Sequence, residues 1–160
     1  MSGGVSLWRI ATDTPDYTAD DLTGAGAKAT GGRWNRVGGA VLYTSTSIAL
    51  ACLETAVHLK AGSLPLNRYL VRLDVPDATW AAREVADAAH LVGWDALPEG
   101  KVSLDFGDAW LASGRSPALL VPSVVVPEEF NVLLNPLHPL LHAVKAKKLR
   151  KWIYDPRLRT

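Results

Sequence analysis

The stretch Ala40-Val-Leu-Tyr-Thr-Ser-Thr-Ser47-Ile-Ala-Leu-Ala-Cys-Leu-Glu54 places a β-strand directly before an α-helix. The apolar run Ala40–Tyr43 predicts the strand. Ser47 is a residue type that caps helix N-termini, so the helix is predicted to begin there and to run to about Lys60, with Gly62 just beyond its end. Apolar side chains cover nearly the whole circumference of this helix, which is typical of a buried helix.

Further strands and helices follow in mixed order on both sides of this stretch. Apolar runs predict strands at residues 7–10, 68–75, 118–121, 124–126 and 130–134, and a Lys-rich edge strand at 148–154. Helices are predicted to start at Thr18, to cover residues 78–92, and to run from 105 to 113 before Gly114. Because regular βαβ alternation is missing, the predicted fold class is α+β with a mainly antiparallel sheet.

The composition fits one ordinary globular domain over residues 1–160. Apolar residues make up 48% of the chain and charged residues 21%, which excludes global disorder. No apolar run approaches the roughly 18–20 residues that cross a bilayer, and the N-terminus does not have the pattern of a signal peptide. Cys52 is the single cysteine, so an internal disulfide is excluded. These features predict a cytoplasmic protein.

Positive charge is concentrated at the C-terminal end. Residues 1–142 hold 10 Lys/Arg and 15 Asp/Glu, a net charge of −5, whereas residues 143–160 hold 7 Lys/Arg and one acid, a net charge of +6. Such a tail could meet nucleic acid, an acidic partner or only solvent. A nucleic-acid-binding module is disfavoured, because the tail carries one aromatic pair, Trp152 and Tyr154, and no recognisable reader motif.

Glu54 is the most unusual polar residue, because it lies in the middle of the apolar helix. A carboxylate in such surroundings is costly unless it is paired or hydrogen-bonded. It is therefore either part of a structural ion pair or an active-site carboxylate at the floor of a cleft.

A second candidate is Gly31-Gly-Arg-Trp-Asn35, where two glycines allow close approach to a ligand and Arg33 can bind phosphate or carboxylate oxygens. The alternative is a turn with an exposed arginine. Ser123 lies between two apolar runs without the Gly-x-Ser-x-Gly motif of a hydrolase nucleophile. Asn135 precedes Pro136, which is typical of a turn.

A metal site is disfavoured. Glu54 and His58 are four residues apart, as are His138 and His142, but no His-Glu-x-x-His motif is present and Pro139 disturbs the second pair.

Taken together, these motifs resemble the RES-domain family, named for its Arg, Glu and Ser residues. The resemblance extends over almost the whole chain, from Leu7–Ile10 to Tyr154–Leu158. Between these ends, the matching stretches are Gly31-Gly-Arg-Trp-Asn35, Val41-Leu-Tyr-Thr-Ser45, Ala49-Leu-Ala-Cys-Leu-Glu54 with His58, Val121-Pro-Ser-Val-Val-Val-Pro127 and Asn131-x3-Asn135-Pro-x-His-Pro139.

The resemblance implies a compact single domain whose split sheet resembles the mono-ADP-ribosyltransferase toxins. It implies the toxin of a type II toxin–antitoxin pair, which degrades NAD by phosphorolysis or hydrolysis of the nicotinamide–ribose bond. ADP-ribosylation of a protein target is the alternative. NAD is then a substrate and inorganic phosphate a candidate co-substrate, while no cofactor or metal is expected.

The family's catalytic residues fall on four positions of this sequence: Arg33, Tyr43, Glu54 and Ser123. Glu54 would stabilise the positive charge that develops on the ribose, and Arg33 would bind the diphosphate. Tyr43 would stack on a ring of the substrate, and Ser123 would orient the ribose or the nicotinamide. Further substrate contacts are expected from Arg9, Trp34, Asn35, Thr44 and Asn135.

The resemblance also implies a partner, an Xre-like helix-turn-helix antitoxin whose C-terminal segment occludes the active site. DNA would be contacted only through that antitoxin. No membrane association is expected, and a homodimer within the complex is one candidate assembly.

Overall fold

The computed structural model describes residues 4–59 and 65–158 of the chain. Four α-helices lie in these ranges: α1 (Ala25–Thr30), α2 (Ile48–Ala56), α3 (Asp77–Ala81) and α4 (Lys101–Ser113). The strands are β1 (Val5–Thr12), β2 (Leu42–Ser45), β3 (Arg68–Val75), β4 (Glu84–Val85), β5 (Ala118–Pro122), β6 (Phe130–Leu134) and β7 (Lys145–Lys151). Short 3₁₀ turns occupy Ala88–His90, Pro139–Ala143 and Pro156–Leu158.

Within the described ranges, the strands form one seven-stranded sheet in the order β4-β5-β6-β2-β1-β3-β7. The short β4 pairs with β5 in parallel, and the other neighbours are antiparallel. The predicted α+β fold with a mainly antiparallel sheet is therefore confirmed. No helix among the described residues is long and apolar enough to cross a membrane.

The sheet is split between β1 and β2. These two strands share a single residue pair, Trp8 with Ser45, whereas β1 pairs with β3 along its whole length, from Val5 to Thr12. The sheet thus consists of two halves, β4-β5-β6-β2 and β1-β3-β7. Beyond the Trp8–Ser45 pair the two halves separate and leave a cleft.

The packing of the core explains how the halves stay together. On one face of the sheet, a continuous cluster joins them, with Leu7 and Leu73 from one half and Leu42 and Leu134 from the other. On the opposite face, each half has its own cluster. One contains Trp110 of α4 and the other contains Ala51 of α2, and the cleft lies between them.

Helix α2 follows the sequence prediction at its start and departs from it in burial. The Ser47 hydroxyl accepts a hydrogen bond from the Leu50 N–H at 3.1 Å, so the predicted cap is confirmed. The helix ends at Ala56, while the predicted end at Lys60 and Gly62 lies outside the described residues. The helix is not buried all round as predicted, because one side of it faces the cleft and Val57 just beyond its end is exposed.

Two predicted helices are wrong. Residues 78–92 contain only the short α3 before the chain turns into β4, because Arg115 and Ser116 bind the Glu84 carboxylate and hold it beside β5. Tertiary contacts here outweigh the helix propensity of alanine. The predicted helix start at Thr18 is a turn, and helix α1 begins at Ala25, whose N–H is bound by the Asp21 carboxylate.

The predicted strand at residues 124–126 is also wrong. The Ser123 hydroxyl accepts hydrogen bonds from the N–H groups of Val125 and Val126, which folds the segment into a turn. The strands over 68–75 and 130–134 are confirmed. The predicted Lys-rich edge strand is confirmed in type, although it covers Lys145–Lys151 rather than 148–154.

Candidate functional site

The cleft between the two halves of the sheet has a volume of about 890 Å³. It is lined by Arg9 and Trp8 from β1, Arg33 from the loop after α1, Tyr43 from β2 and Glu54 from α2. Two arginines, a carboxylate and aromatic rings therefore face one concave space. Such a combination of polar groups in a largely apolar cleft is typical of a small-molecule site.

Glu54 is held at this cleft by two hydrogen-bond donors. Its Oε2 atom accepts a hydrogen bond from the Ser123 hydroxyl at 2.6 Å and a second from Nδ2 of Asn131. Among the described residues, Oε1 has no hydrogen-bond partner and no cation forms a salt bridge with Glu54. Within residues 4–59 and 65–158, Glu54 is therefore not part of an ion pair, and the carboxylate keeps one oxygen for another partner.

Ser123 lies behind Glu54 and is fully buried. Its hydroxyl oxygen accepts the two backbone N–H groups of the turn, so its proton points towards Glu54. The expected direct orientation of ribose or nicotinamide by Ser123 is not what this geometry shows, because Ser123 acts on the carboxylate.

Tyr43 is built into the Arg33 loop by two hydrogen bonds. Its hydroxyl accepts from the Trp34 N–H at 3.0 Å and donates to Oδ1 of Asn35 at 2.6 Å. Burial raises the pKa of the hydroxyl above its ordinary value, so it remains protonated. Gly32 permits this arrangement, since a Cβ atom there would lie 2.7 Å from the Tyr43 hydroxyl oxygen.

Arg33 is held by main-chain carbonyl groups of the segment that precedes α4. Its Nη1 atom donates to the carbonyl oxygen of Trp94 at 2.9 Å and to that of Ala96 at 2.8 Å. Among the described residues, Nε and Nη2 have no hydrogen-bond partner. The guanidinium group is thus fixed in place with two donors left for a ligand, which suits an anion.

Arg9 brings a second guanidinium group to the cleft. Its Nε atom is buried and has no hydrogen-bond partner within the described part of the chain. Burial lowers the pKa of Arg9, and the nearby Asp21 and Tyr17 act in the opposite direction. A buried donor of this kind is costly when left unsatisfied, so a bound anion would offset that cost.

The structure brings most of the predicted site residues to the cleft. Trp34 lines it and stacks on Trp94 with ring centroids 6.2 Å apart, while Thr44 lines it with its hydroxyl donated to Val132 O at 2.8 Å. Arg9, Arg33, Tyr43 and Glu54 complete this group.

Two predicted substrate contacts require correction. Asn35 is fully buried, and its amide N–H groups are donated to the carbonyl oxygens of Ala27, Arg36 and Gly39. Asn135 forms the predicted turn, with its Oδ1 bound by the Leu137 N–H. Neither residue lines the cleft, because their side-chain amides form hydrogen bonds with main-chain groups instead.

Sequence reasoning missed Asn131 and Ser45. In the sequence, Asn131 stands in the turn-like motif Asn131-x3-Asn135, and Ser45 ends the run Val41–Ser45 without a chemical signal of its own. The two residues face each other on the neighbouring strands β2 and β6, and no local pattern in the sequence shows that these strands pair. The signal that could have found Asn131 is its polarity in an otherwise apolar strand.

The two residue pairs considered for a metal lie in different places, since Glu54 and His58 line the cleft whereas His138 and His142 belong to the 3₁₀ turn Pro139–Ala143 and its start. His58 is exposed at the cleft, and His138 uses its Nδ1 to cap the Leu140 N–H. No group of three or more His, Cys, Asp or Glu residues that could hold a metal ion occurs in residues 4–59 and 65–158.

Comparisons with known proteins identify a family. The RES domain family model matches residues 6–156. A protein named Prs ADP-ribosylating toxin from Sphingobium sp. (strain YBL2) is 62% identical over 154 residues, covering 96% of each chain. A protein named Toxin Res from Yersinia enterocolitica is 36% identical, covering 89% of this chain and 93% of that protein.

The fold also resembles a solved structure, the toxin–antitoxin complex MbcT–MbcA from M. tuberculosis. The TM-score is 0.60 over 99% of this chain and 88% of the matched chain, with 17% sequence identity. At that identity, the likeness concerns the fold alone.

Proposed function

The chain belongs to the RES domain family, and from this premise we propose that it is a toxin that breaks the nicotinamide–ribose bond of NAD and transfers ADP-ribose to a protein. The names of two similar proteins, Toxin Res and Prs ADP-ribosylating toxin, support this proposal. The second name favours protein modification, the alternative in the sequence analysis, over plain NAD degradation. The similarity behind it covers nearly the whole chain.

The binding of NAD is supported by the two guanidinium groups of the cleft. The diphosphate of NAD offers anionic oxygens to Nε and Nη2 of Arg33 and to the buried Nε of Arg9. The cleft volume of about 890 Å³ lies within the range of roughly 300–1,000 Å³ that small-molecule sites have. Tyr43 supplies aromatic surface for a ring of the substrate.

The chemical step requires charge stabilisation on the ribose. When the bond between nicotinamide nitrogen and ribose C1′ breaks, the bonding electron pair leaves with the nicotinamide, which becomes neutral. The positive charge moves to the ribose, which becomes an oxocarbenium-like cation, as in glycoside hydrolysis. A nucleophile of the acceptor then bonds to C1′ and loses its proton.

One observation carries this proposal: the Glu54 carboxylate faces the cleft, is held by two neutral donors on one oxygen and is not paired with a cation among the described residues. Neutral donors fix the group without cancelling its charge. A fixed negative charge beside the forming cation stabilises the transition state. It lowers the barrier effectively because no solvent has to reorganise.

The test separates the acceptors. The purified protein is incubated with NAD labelled in its adenosine half, alone, with inorganic phosphate, or with the protein Prs. We expect nicotinamide release together with label on Prs. Nicotinamide release in buffer or phosphate without labelled protein would support NAD degradation instead. If no arm releases nicotinamide, the proposed reaction is wrong.

An antitoxin partner belongs to this proposal, because the similar solved structure is a toxin–antitoxin complex. We propose that a polar or anionic chain end of the antitoxin enters the cleft beside Arg33 and so competes with NAD. We further propose that the antitoxin is an Xre-like helix-turn-helix protein and that DNA is contacted only through it. A homodimer within the complex is also proposed.

A further inference from the structure

We propose that Asn131 and Ser45 are positioning residues for Glu54, with Ser45 acting through Asn131. This inference rests on the proposed function, since it assigns these residues a part in the same reaction. It concerns a chain of three side chains that starts inside the sheet and ends at the carboxylate in the cleft.

The hydrogen bonds of Asn131 have a defined direction. Its Oδ1 accepts a hydrogen bond from the Ser45 hydroxyl at 2.7 Å, and its Nδ2 donates to Oε2 of Glu54. A carboxylate can only accept, so it requires the amide nitrogen on its side. With Oδ1 bound by Ser45, the amide is fixed in the orientation that Glu54 needs.

The sheet holds these two residues in register. Ser45 is nine-tenths or more buried, and it is the residue of β2 that pairs with Asn131 of β6. The same Ser45 forms the single pair with Trp8 of β1 at the place where the halves of the sheet meet. The position of the amide is therefore set by two backbone pairings rather than by a mobile loop.

Ser123 and Asn131 reach Glu54 from one half of the sheet, whereas Glu54 lies on α2, which packs against the other half. Ser123 alone would leave the carboxylate free to rotate about its hydrogen bond. The second donor removes that freedom and fixes the direction of Oε1 towards the cleft. The catalytic geometry then depends on the Ser45 hydroxyl, which is donated to Asn131 and acts on Glu54 through it.

The experiment compares Ser45→Val with Ser45→Thr in the full chain. Both variants add the same bulk, but only threonine keeps the hydroxyl. Ser45→Ala provides a smaller variant should both larger side chains misfold. Thr79→Val is the control, because it removes a buried hydroxyl that donates to Leu140 O at 2.9 Å outside the cleft.

Two readouts are measured. The first is the side-chain amide resonance of Asn131, assigned by its loss in Asn131→Leu, which reports the hydrogen bond independently of any reaction. The second is the rate of nicotinamide release. For Ser45→Val we expect a shifted amide resonance and kcat lowered about 10- to 100-fold, because small misplacements of a reacting group have effects on the order of 100-fold. KM should stay within about 2-fold, since the lost interaction acts in the transition state.

Ser45→Thr should restore both readouts, and Thr79→Val should leave both unchanged. The inference is overturned if the Asn131 resonance or kcat is the same in Ser45→Val as in Ser45→Thr, or, with both misfolded, the same in Ser45→Ala as in the wild type. If the wild-type protein releases no nicotinamide, the proposed reaction fails, and the amide resonance alone decides whether Ser45 orients Asn131. A resonance unchanged by the loss of the hydroxyl then overturns the inference as well.

Discussion

Gly107 of α4 lies directly against the carbonyl group of Trp34: a Cβ atom on Gly107 would be 1.7 Å from the Trp34 oxygen. No side chain fits between the helix and this loop, and the contact is with backbone, which cannot rotate away. Helix α4 therefore supports the segment that carries Arg33. Arg36 strengthens the same contact through Asp105 and Asp108 on α4, each at 2.8 Å.

Gly107→Ala should consequently displace either the helix or the loop. We expect the free energy of unfolding to fall by about 1–3 kcal/mol or more, the usual range for overpacking, in chemical denaturation. Gly100→Ala is the matched control at the start of α4, where the nearest atom to the added Cβ is 3.7 Å away. Equal stability of the two variants would contradict the role of Gly107.

Glu54→Gln should keep the fold and lose NAD turnover. Its amide oxygen can still accept the hydrogen bonds of Ser123 and Asn131, but the negative charge facing the cleft is gone. We expect kcat for nicotinamide release to fall on the order of 100- to 1,000-fold, with an unchanged melting temperature. If the variant unfolds while its folded fraction stays active, Glu54 has a structural role only.

Arg33→Lys tests the fixed guanidinium group. An ammonium group that satisfies the carbonyl groups of Trp94 and Ala96 cannot also offer a planar pair of donors to the diphosphate. With hydrogen bonds to charged groups contributing about 1.5–3 kcal/mol, we expect kcat/KM for NAD to fall roughly 10- to 100-fold. Steady-state kinetics equal to those of the wild type would remove Arg33 from the site.

The ion pair between Asp13 and Lys148, 2.9 Å apart, should make stability depend on acid pH. The hydrogen bond from Lys148 lowers the pKa of Asp13 in the folded state. The stabilisation is therefore complete above the unfolded-state pKa of about 3.9 and is lost as the pH falls through the lower folded-state pKa. Asp13→Asn should flatten the loss of stability below about pH 4, as measured by thermal unfolding.

Lys148→Met provides the reciprocal variant. Added to Asp13→Asn, it should change the acid dependence little further, because the pair is already broken. An acid dependence of Asp13→Asn that matches the wild type would show that other groups control it.

The antitoxin prediction concerns where inhibition occurs. Deleting the C-terminal segment of the antitoxin should restore NAD cleavage even where the two proteins still associate, as measured by nicotinamide release from the purified complex. Cleavage that stays blocked after the deletion would place the inhibitory contact outside the cleft.

The sequence predicts the features that depend on neighbours along the chain. The alternation of Tyr69, Val71, Leu73 and Val75 defines β3, and Ser47 identifies the start of α2. The hydrogen-bond partners of Glu54 cannot be predicted in this way, because Ser123 lies 69 residues away along the chain and Asn131 lies 77 residues away.

The direction of a side chain escapes local reasoning in the same way. The position of Asn35 directly after Arg33 and Trp34 predicts a substrate contact, yet its amide points into the protein and binds the carbonyl groups of Ala27 and Gly39. The valines at 124–126 favour a strand by composition, whereas the Ser123 hydroxyl bends them into a turn. The Asn35 bonds require the folded loop, whereas the Ser123 bonds span only two and three residues and form a local turn that outweighs the strand propensity of valine.

The split sheet has a consequence for how activity responds to stress. Glu54 lies on one half, and its two hydrogen-bond donors lie on the other. The carboxylate is therefore held in its orientation only while the halves are aligned. Each half keeps its own apolar cluster on the cleft side, so their alignment depends on the shared cluster on the opposite face and on the Trp8–Ser45 pair. The rate of nicotinamide release should therefore fall with a loss of alignment that leaves the spectroscopic signal of helix and strand content unchanged.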